Sequence, residues 1–269
     1  MNEQGIKDSV RRKYGQIVKN QSCCGSGCCT SGDMRYTMKE DYSHLKGYEH
    51  IADYGLGCGL PTQFAGIRQG DTVLDLGSGA GNDCFVARAL TGETGQVIGI
   101  DFTPEMVEKA TLNASALGYT NVTFHKGDIE NMPFPDHMAD VVISNCVLNL
   151  LPSKDKVFHE IFRVLKPGGH FCISDIVLVG ELPVALKDNV DFYTGCIAGA
   201  IQKDRYLEHI ANAGFTQVSV VKENKIALPD SVIKGSDGTF SVLSITVTGE
   251  SAANGITFAP QALGVPVWR

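Results

Sequence analysis

Nowhere in the chain does an apolar run approach the roughly 20 consecutive residues that a membrane-spanning helix needs. The opening segment, M-N-E-Q-G-I-K-D-S-V-R-R-K-Y, lacks the apolar core of a secretory leader, which predicts a cytoplasmic protein. Positive charge is also in short supply. There are 23 Lys and Arg against 30 Asp and Glu, a net charge of -7, which argues against a general nucleic-acid-binding surface. The expected partners are therefore neither nucleic acid nor membrane. What the chain has in abundance is cysteine, nine residues in 269. An odd number without an export signal does not describe a disulfide framework, because the cytosol keeps thiols reduced. Ligation or redox chemistry is the expected use. For Cys84, after a glycine turn, and Cys172, inside an apolar run, burial as small hydrophobes accounts for the residue type.

Residues 4–19 read as an amphipathic helix whose basic middle, Arg11, Arg12 and Lys13, is a solvated face. The segment N-Q-S-C-C-G-S-G-C-C-T-S-G at 20–32 has no periodicity and reads as a loop. Residues 41–54 are predicted helical, and G-L-G-C-G-L-P at 55–61 a tight loop. From residue 71 strands and helices alternate. Strands are expected at D-T-V-L-D-L, Q-V-I-G-I-D, V-T-F-H-K, A-D-V-V-I-S and H-F-C-I-S-D. Helices are expected from Asn82 to Leu90, from Thr103-Pro104 onward, and over K-D-K-V-F-H-E-I-F-R-V-L. Thr103 reads as an N-cap with Pro104 at the first helical position. This is the pattern of an α/β fold, a mostly parallel sheet with helices on both faces. Residues 183–213 read as mostly helical, followed by two strands at T-Q-V-S-V-V and T-F-S-V-L-S-I-T-V-T. The domain boundaries that follow are an N-terminal helix and Cys-rich segment at 1–54, a Rossmann-like domain at 55–180, a C-terminal region with closing strands at 181–249, and a tail at 250–269.

The first strand runs into V-L-D-L-G-S-G-A-G-N-D at 73–83. Gly77, Gly79 and Gly81 allow close backbone approach to a ligand. The spacing is not G-x-G-x-x-G, and Asp75 and Asp83 flank the turn. A pyrophosphate wants a helix N-terminus free of carboxylates; these acids suit a cationic ligand such as S-adenosyl-L-methionine. Asp101 ends strand two, where an acid would meet ribose hydroxyls, and Asp128 follows strand three, placed to accept from an adenine amine. Each aspartate could singly be a cap or turn residue. Their recurrence at the ends of consecutive strands marks the ligand crevice of an open α/β sheet.

Four motifs in order carry a resemblance: V-L-D-L-G-S-G-A-G, G-I-D-F-T-P-E-M, G-D-I-E-N-M-P-F-P and L-K-P-G-G. Residues 71–175 resemble class I S-adenosylmethionine-dependent methyltransferases. The resemblance implies a Rossmann-like, seven-stranded sheet with one antiparallel member. It extends the cofactor-binding set to Phe102, Ile129, Glu130 and Asn145. Y-G-L-G-C-G-L-P, S-N-C-V-L-N-L and F-Y-T-G-C-I-A-G-A then resemble one branch, the arsenite methyltransferases, from about residue 10 to 249. That likeness implies that Cys58, Cys146 and Cys196 bind trivalent arsenic in a smaller C-terminal arsenic-binding region. It also implies that redox-active thiols lie among Cys23, Cys24, Cys28 and Cys29.

The chemistry is consistent with that assignment. Trivalent arsenic is soft, prefers sulfur and keeps a lone pair, so transfer of a sulfonium methyl becomes a positioning problem without a general base. The expected substrates are thiol conjugates of trivalent arsenic. The expected reductant is thioredoxin or a glutathione-like thiol. Packing alone could also account for Cys58 between two glycines, or for Cys196 on a helix, and a zinc knot for the cluster would want more separated pairs. Two other functions share some of these features. A carbon or oxygen methyltransferase on a quinone-like small molecule would leave the cysteines idle. A non-catalytic arsenic-binding module would leave the cofactor motifs idle.

Overall fold

A computed structural model describes residues 3–21, 40–180, 199–227 and 240–252. Cys23, Cys24, Cys28, Cys29 and Cys196 lie outside the described residues, as do residues 183–198 of the helical stretch expected at 183–213 and the tail from 253.

The expected strands and helices of the central region form close to their predicted bounds. Strands β1 (Thr72–Leu76), β2 (Gln96–Asp101), β3 (Val122–Lys126), β4 (Ala139–Asn145), β5 (Leu165–Val179), β6 (Thr216–Lys225) and β7 (Ser241–Glu250) make one sheet in the order β3-β2-β1-β4-β5-β7-β6. The pairs from β3 to β5 are parallel, and β7 runs antiparallel to both β5 and β6. The helices are α1 (Glu3–Gln21), α2 (Pro61–Phe64), α3 (Asn82–Thr91), α4 (Pro104–Ala116), α5 (Lys154–Val164) and α6 (Lys203–Asn212), with single 3-10 turns at His50–Ala52 and Leu148–Leu150. Central strands are apolar almost throughout: Val73, Leu74 and Leu76 of β1 and Val141, Val142 and Ile143 of β4 are fully buried. A strand covered by helices on both faces cannot alternate, and these do not. One core, around Leu74, Phe158, Phe171 and Tyr206, fills one face. A second, around Val73, Phe85, Val141 and Cys172, fills the other. Cys84 and Cys172 sit wholly buried within the second.

Two local expectations are corrected. Residues 41–54 do not form an α-helix; only His50–Ala52 makes a 3-10 turn. Gly47, at φ +86, lies so close to α3 that a Cβ there would come within 2.5 Å of the Phe85 carbonyl. Tyr42 turns inward, its hydroxyl donating toward Gly59 O and Asp83. Tertiary contact overrides helical propensity, and the segment lies as a strap across α3. Thr103 does occupy the N-cap position of α4, but without a side-chain cap. Its N–H donates instead to Asp101 Oδ1 at 2.8 Å.

The chain leaves β1 toward β2 and β3 and returns to β4 on the other side. The strand order therefore reverses at β1, and the C-terminal ends of β1 and β4 border a crevice, the place where open α/β sheets bind ligands. Helix α1 lies beside it, tied down by Lys7 to Asp128 (2.6 Å) and to Glu130, and by Lys19 to Glu105 (2.9 Å).

Candidate active site

The crevice holds about 1060 Å³, counting the space open to solvent. Asp75, Gly77, Gly79, Asp101, Phe102, Asp128, Ile129, Asn145 and Cys146 of the expected site line it. Gly81 and Glu130 do not. Gly81, at φ +99, is the N-cap of α3, and a Cβ there would strike the Phe85 and Phe124 rings. Glu130 spends its carboxylate on Lys7 and on the Ser153 N–H. The two glycines that do line the crevice differ in role. A Cβ on Gly79 (φ +52) would meet nothing nearer than Met106 Sδ at 4.0 Å, so it faces open space. A Cβ on Gly77 (φ +70) would press into Val147 at 2.4 Å; there it is protein packing that demands the missing side chain.

Six carboxylates line the crevice: Glu40, Asp53, Asp75, Asp83, Asp101 and Asp128. No Lys or Arg is among its described lining residues. Burial raises the pKa of Asp75, Asp83 and Asp101, since a low-dielectric site disfavours the anion. For Asp83 the value reaches about 6, after hydrogen bonds from Asn145 and Tyr42 have pulled it back. Asp75 is further raised by repulsion from Asp83, and it accepts an S–H bond from Cys84 at 3.1 Å. Asp101 accepts from Gly79 N–H (3.0 Å) and Thr103 N–H, holding the turn against the end of β2. Two buried lining groups, Ser78 Oγ and Asn82 Oδ1, have no hydrogen-bond partner among the described residues. An acidic crevice with spare polar groups fits a ligand that is both cationic and rich in hydrogen-bonding groups, as S-adenosylmethionine is, and repels a pyrophosphate.

Beside the crevice lies a buried cluster of thiols and a carboxylate. Cys58 stands between glycines for a reason of space. A Cβ on Gly57 would come within 2.7 Å of Asn145 Nδ2, and one on Gly59 within 2.4 Å of Ser174 Oγ. The bare backbone can therefore press against β4 and β5. It is stapled there by Cys58 N–H to Asn145 Oδ1 (3.0 Å) and Ser244 Oγ to Cys58 O (2.6 Å). Cys146 follows β4 in the left-handed conformation at φ 60, unusual for a residue other than glycine. Its N–H donates to Ser174 O at 2.8 Å. The result brings the Cys58 and Cys146 sulfurs and a carboxylate oxygen of Asp175 within 4.8 Å of one another, all three residues buried. An apolar collar of Val10, Leu150, Ile176, Leu178 and Val242 surrounds the two cysteines.

Sequence reasoning missed Asp175 and Tyr42. Asp175 had a usable signal, since it is an acid on a strand next to β4. However, β5 continues to Val179, so Asp175 does not mark the strand's end. Tyr42 came from a segment read as helix; its hydroxyl meets Asp83 at 3.0 Å and Asn145 Nδ2 at 2.5 Å. Asn145 thereby touches both the crevice and the cluster, Asp83 on one side (3.0 Å) and the Cys58 loop on the other.

Comparison with known proteins agrees with this geometry. Residues 67–214 match a family described as a methyltransferase domain. The chain is 41% identical over 234 residues to an arsenite methyltransferase of Halobacterium salinarum, covering 81% of this chain and 59% of that protein. It is 34% identical over 250 residues to an arsenite methyltransferase of Aquipseudomonas alcaligenes, covering 90% and 71%. The chain thus spans three-fifths to seven-tenths of the length of these two relatives. The crystal structure of an arsenic(III) S-adenosylmethionine methyltransferase from Chlamydomonas reinhardtii superposes with a TM-score of 0.66 at 36% identity, covering 74% of this chain and 69% of that one.

Proposed function

Because the chain belongs to the arsenite methyltransferase family, we propose that it transfers methyl groups from S-adenosylmethionine to trivalent arsenic held on cysteine thiolates. The observation that carries this reading is the double position of Cys146. It lines the acidic crevice and also stands in a buried cluster with Cys58, their sulfurs within 4.8 Å of each other.

In this reading Asp75 and Asp83 meet the cationic end of the cofactor, Asp101 the ribose, and Asp128 and Ile129 the adenine. When bound, S-adenosylmethionine supplies an electrophilic methyl group on a sulfonium. The chain's own work is loading and aiming arsenic. A small-thiol conjugate of trivalent arsenic exchanges its ligands onto Cys58 and Cys146, with Cys196 as the third sulfur. Each exchange forms one protein S–As bond, breaks one small-thiol S–As bond and releases the small thiol with the proton the cysteine gave up. Arsenic so held keeps its lone pair on the side away from the sulfurs. That Cys146 also lines the crevice supports a lone pair aimed at the cofactor. The collar of Val10, Leu150 and Ile176 keeps water from the exchange. Each methyl transfer raises arsenic formally by two electrons. A dithiol among Cys23, Cys24, Cys28 and Cys29 returns them by becoming a disulfide, which a thioredoxin-like or glutathione-like thiol then reduces. That chemistry belongs to a reducing, cytoplasmic setting. Among the described residues no helix is long and apolar enough to cross a membrane.

The test is direct. Purified chain, labelled S-adenosylmethionine, arsenite and a thiol reductant should yield labelled mono- and dimethylated arsenic on separation with elemental detection. Label appearing only in a quinone or other organic acceptor, or arsenic bound without any label transfer, would overturn the proposal.

A further inference from the structure

The proposed transfer leaves one buried group at the site without a task. Asp175 is fully buried, and its carboxylate is held on every side by the fold. Oδ1 accepts from Asn149 Nδ2 at 2.8 Å and from Ile176 N–H at 2.9 Å; Oδ2 accepts from the Tyr206 hydroxyl at 3.3 Å. Removing a carboxylate from water is costly, and hydrogen bonds recover only part of that cost. Trivalent arsenic, a soft acceptor of thiolates, has little use for a carboxylate oxygen.

Two thiolates and one carboxylate are, however, a donor set suited to a cation of borderline softness. We propose that Cys58, Cys146 and Asp175 form a binding site for a thiophilic divalent cation of the zinc group, with two sulfurs, one oxygen and one position left open. The donors lie within 4.8 Å of one another. Tetrahedral bonds of about 2.3 Å to sulfur and 2.0 Å to oxygen separate donors by roughly 3.5–3.8 Å. Closure therefore asks for about 1 Å of movement, within reach of side-chain rotation on the Cys58 loop. The partners that fix the carboxylate are of the kind metal-ligating carboxylates have, hydrogen bonds to groups that do not themselves touch the metal. Two thiolates and a carboxylate also more than neutralise a divalent charge, which a buried cation needs. Resting on the proposed arsenic chemistry, one consequence follows: such a cation occupies two of the three sulfurs proposed to hold arsenic, Cys146 of the core pair among them, and excludes it, while the cofactor crevice stays open.

Cadmium alone, as the chloride salt, is the probe. The full chain is used with Cys23, Cys24, Cys28 and Cys29 changed to serine, reduced and without cofactor. The expected result is a thiolate-to-cadmium charge-transfer band saturating at one equivalent, with X-ray absorption showing two sulfurs and at least one oxygen. Asp175→Asn should weaken cadmium binding at least tenfold and leave trivalent arsenic binding unchanged; Cys146→Ser should remove the band. A three-sulfur cadmium site would overturn the proposal, because Cys196 would then be the donor in place of Asp175, and this reading needs no substitution at the site itself. No band, or a folded Asp175→Asn of unchanged affinity, would also overturn it. Methylation assays of the unaltered chain separate the two readings. Cadmium should raise the apparent KM for arsenite without altering cofactor affinity. A two-sulfur, one-oxygen cadmium site in a chain that methylates no arsenic would uphold the cation site and overturn the proposed reaction.

Discussion

Replacing Asp83 by asparagine tests the electrostatics of the crevice most sharply, because two measurements should move in opposite directions. Asp83 is buried, faces the crevice, and receives hydrogen bonds from Tyr42 and Asn145. Its pKa rises from 3.8 to about 6, chiefly through burial. A carboxyl raised on folding stabilises the fold in its protonated form. That contribution is complete below the unfolded value near 4 and is lost as the pH climbs through about 6. Two pH units at 1.36 kcal/mol each make the loss at most about 3 kcal/mol between pH 4 and 7. The unliganded protein should therefore melt lower at pH 7.5 than at pH 5; about one pH unit of the linkage falls in that window, so Asp83→Asn should narrow the gap by roughly 3 °C. Cofactor binding should respond the other way, since a cationic ligand prefers the ionised form. At pH 5 only about a tenth of Asp83 is ionised, so affinity should be roughly tenfold weaker than at pH 7.5. In Asp83→Asn it should be weak and flat across the range. Calorimetric titration with S-adenosylmethionine at both pH values, paired with thermal melts, reads both effects. An Asn variant that keeps the unaltered protein's affinity and pH dependence would refute the assignment of Asp83 as the responsive group, and Asp75 would inherit it.

The thiolate pocket gives further expectations. Cys146→Ser and Cys196→Ser should each abolish methylation of both arsenite and its monomethylated trivalent form, because both sulfurs stay on arsenic after one position is methyl; near-normal turnover by either removes it from the core pair. Cys58→Ser should suppress the first methylation but spare much of the second when monomethylated trivalent arsenic is supplied with excess small thiol, and equal loss of both steps would place Cys58 with the core pair. Asp101→Ala should weaken cofactor binding at least tenfold while leaving arsenic binding intact, as it frees the Gly79 N–H as well as removing a crevice carboxylate; unchanged calorimetric affinity counts against the crevice. Gly79→Val and Gly77→Val separate two kinds of glycine. The first should lose cofactor affinity with a stability loss of about 1–2 kcal/mol from its positive φ, whereas the second, forced into Val147, should lose several kcal/mol in denaturant titrations.

The sheet was legible because its signals are local. Q-V-I-G-I-D and V-T-F-H-K are short apolar runs bounded by turn residues, and both form strands at those bounds. Glycine and proline punctuation also held in part, as L-K-P-G-G ends α5. Yet β5 opens inside that segment, at Leu165, which pairs with Ala139 of β4, while Lys166–Gly169 fall in a register shift before pairing resumes at His170 opposite Val141. The strap at 41–54 was misread for the opposite reason. Its polar spacing suits a helix, but what fixes it is the Tyr42 hydroxyl on Asp83, 41 residues away in sequence.

Around the sulfurs the division is sharper. Cys146 could be singled out from its place after strand four, and Cys58 only through the family resemblance, since its glycine flanks suit packing equally well. Their distance could not, because it depends on two side chains and one backbone carbonyl with no motif of their own. Asn145 holds the Cys58 loop by its backbone N–H, Ser244 of β7 holds it by its carbonyl, and Ser174 supplies the carbonyl that accepts from Cys146 N–H. Each is an ordinary polar residue on a strand, and only the register of β4, β5 and β7 turns them toward one point. Asn145 carries the most consequence. Its amide holds Asp83 in the crevice and its carbonyl holds the Cys58 loop, so the two pockets share a single side chain. A residue that touches both is placed to make arsenic position depend on the state of the cofactor crevice. If the pockets are coupled, Asn145→Ala should loosen the Cys58 loop and weaken S-adenosylmethionine binding together. Separate titrations that move only one of them would show that the shared side chain joins the pockets in space and not in energy.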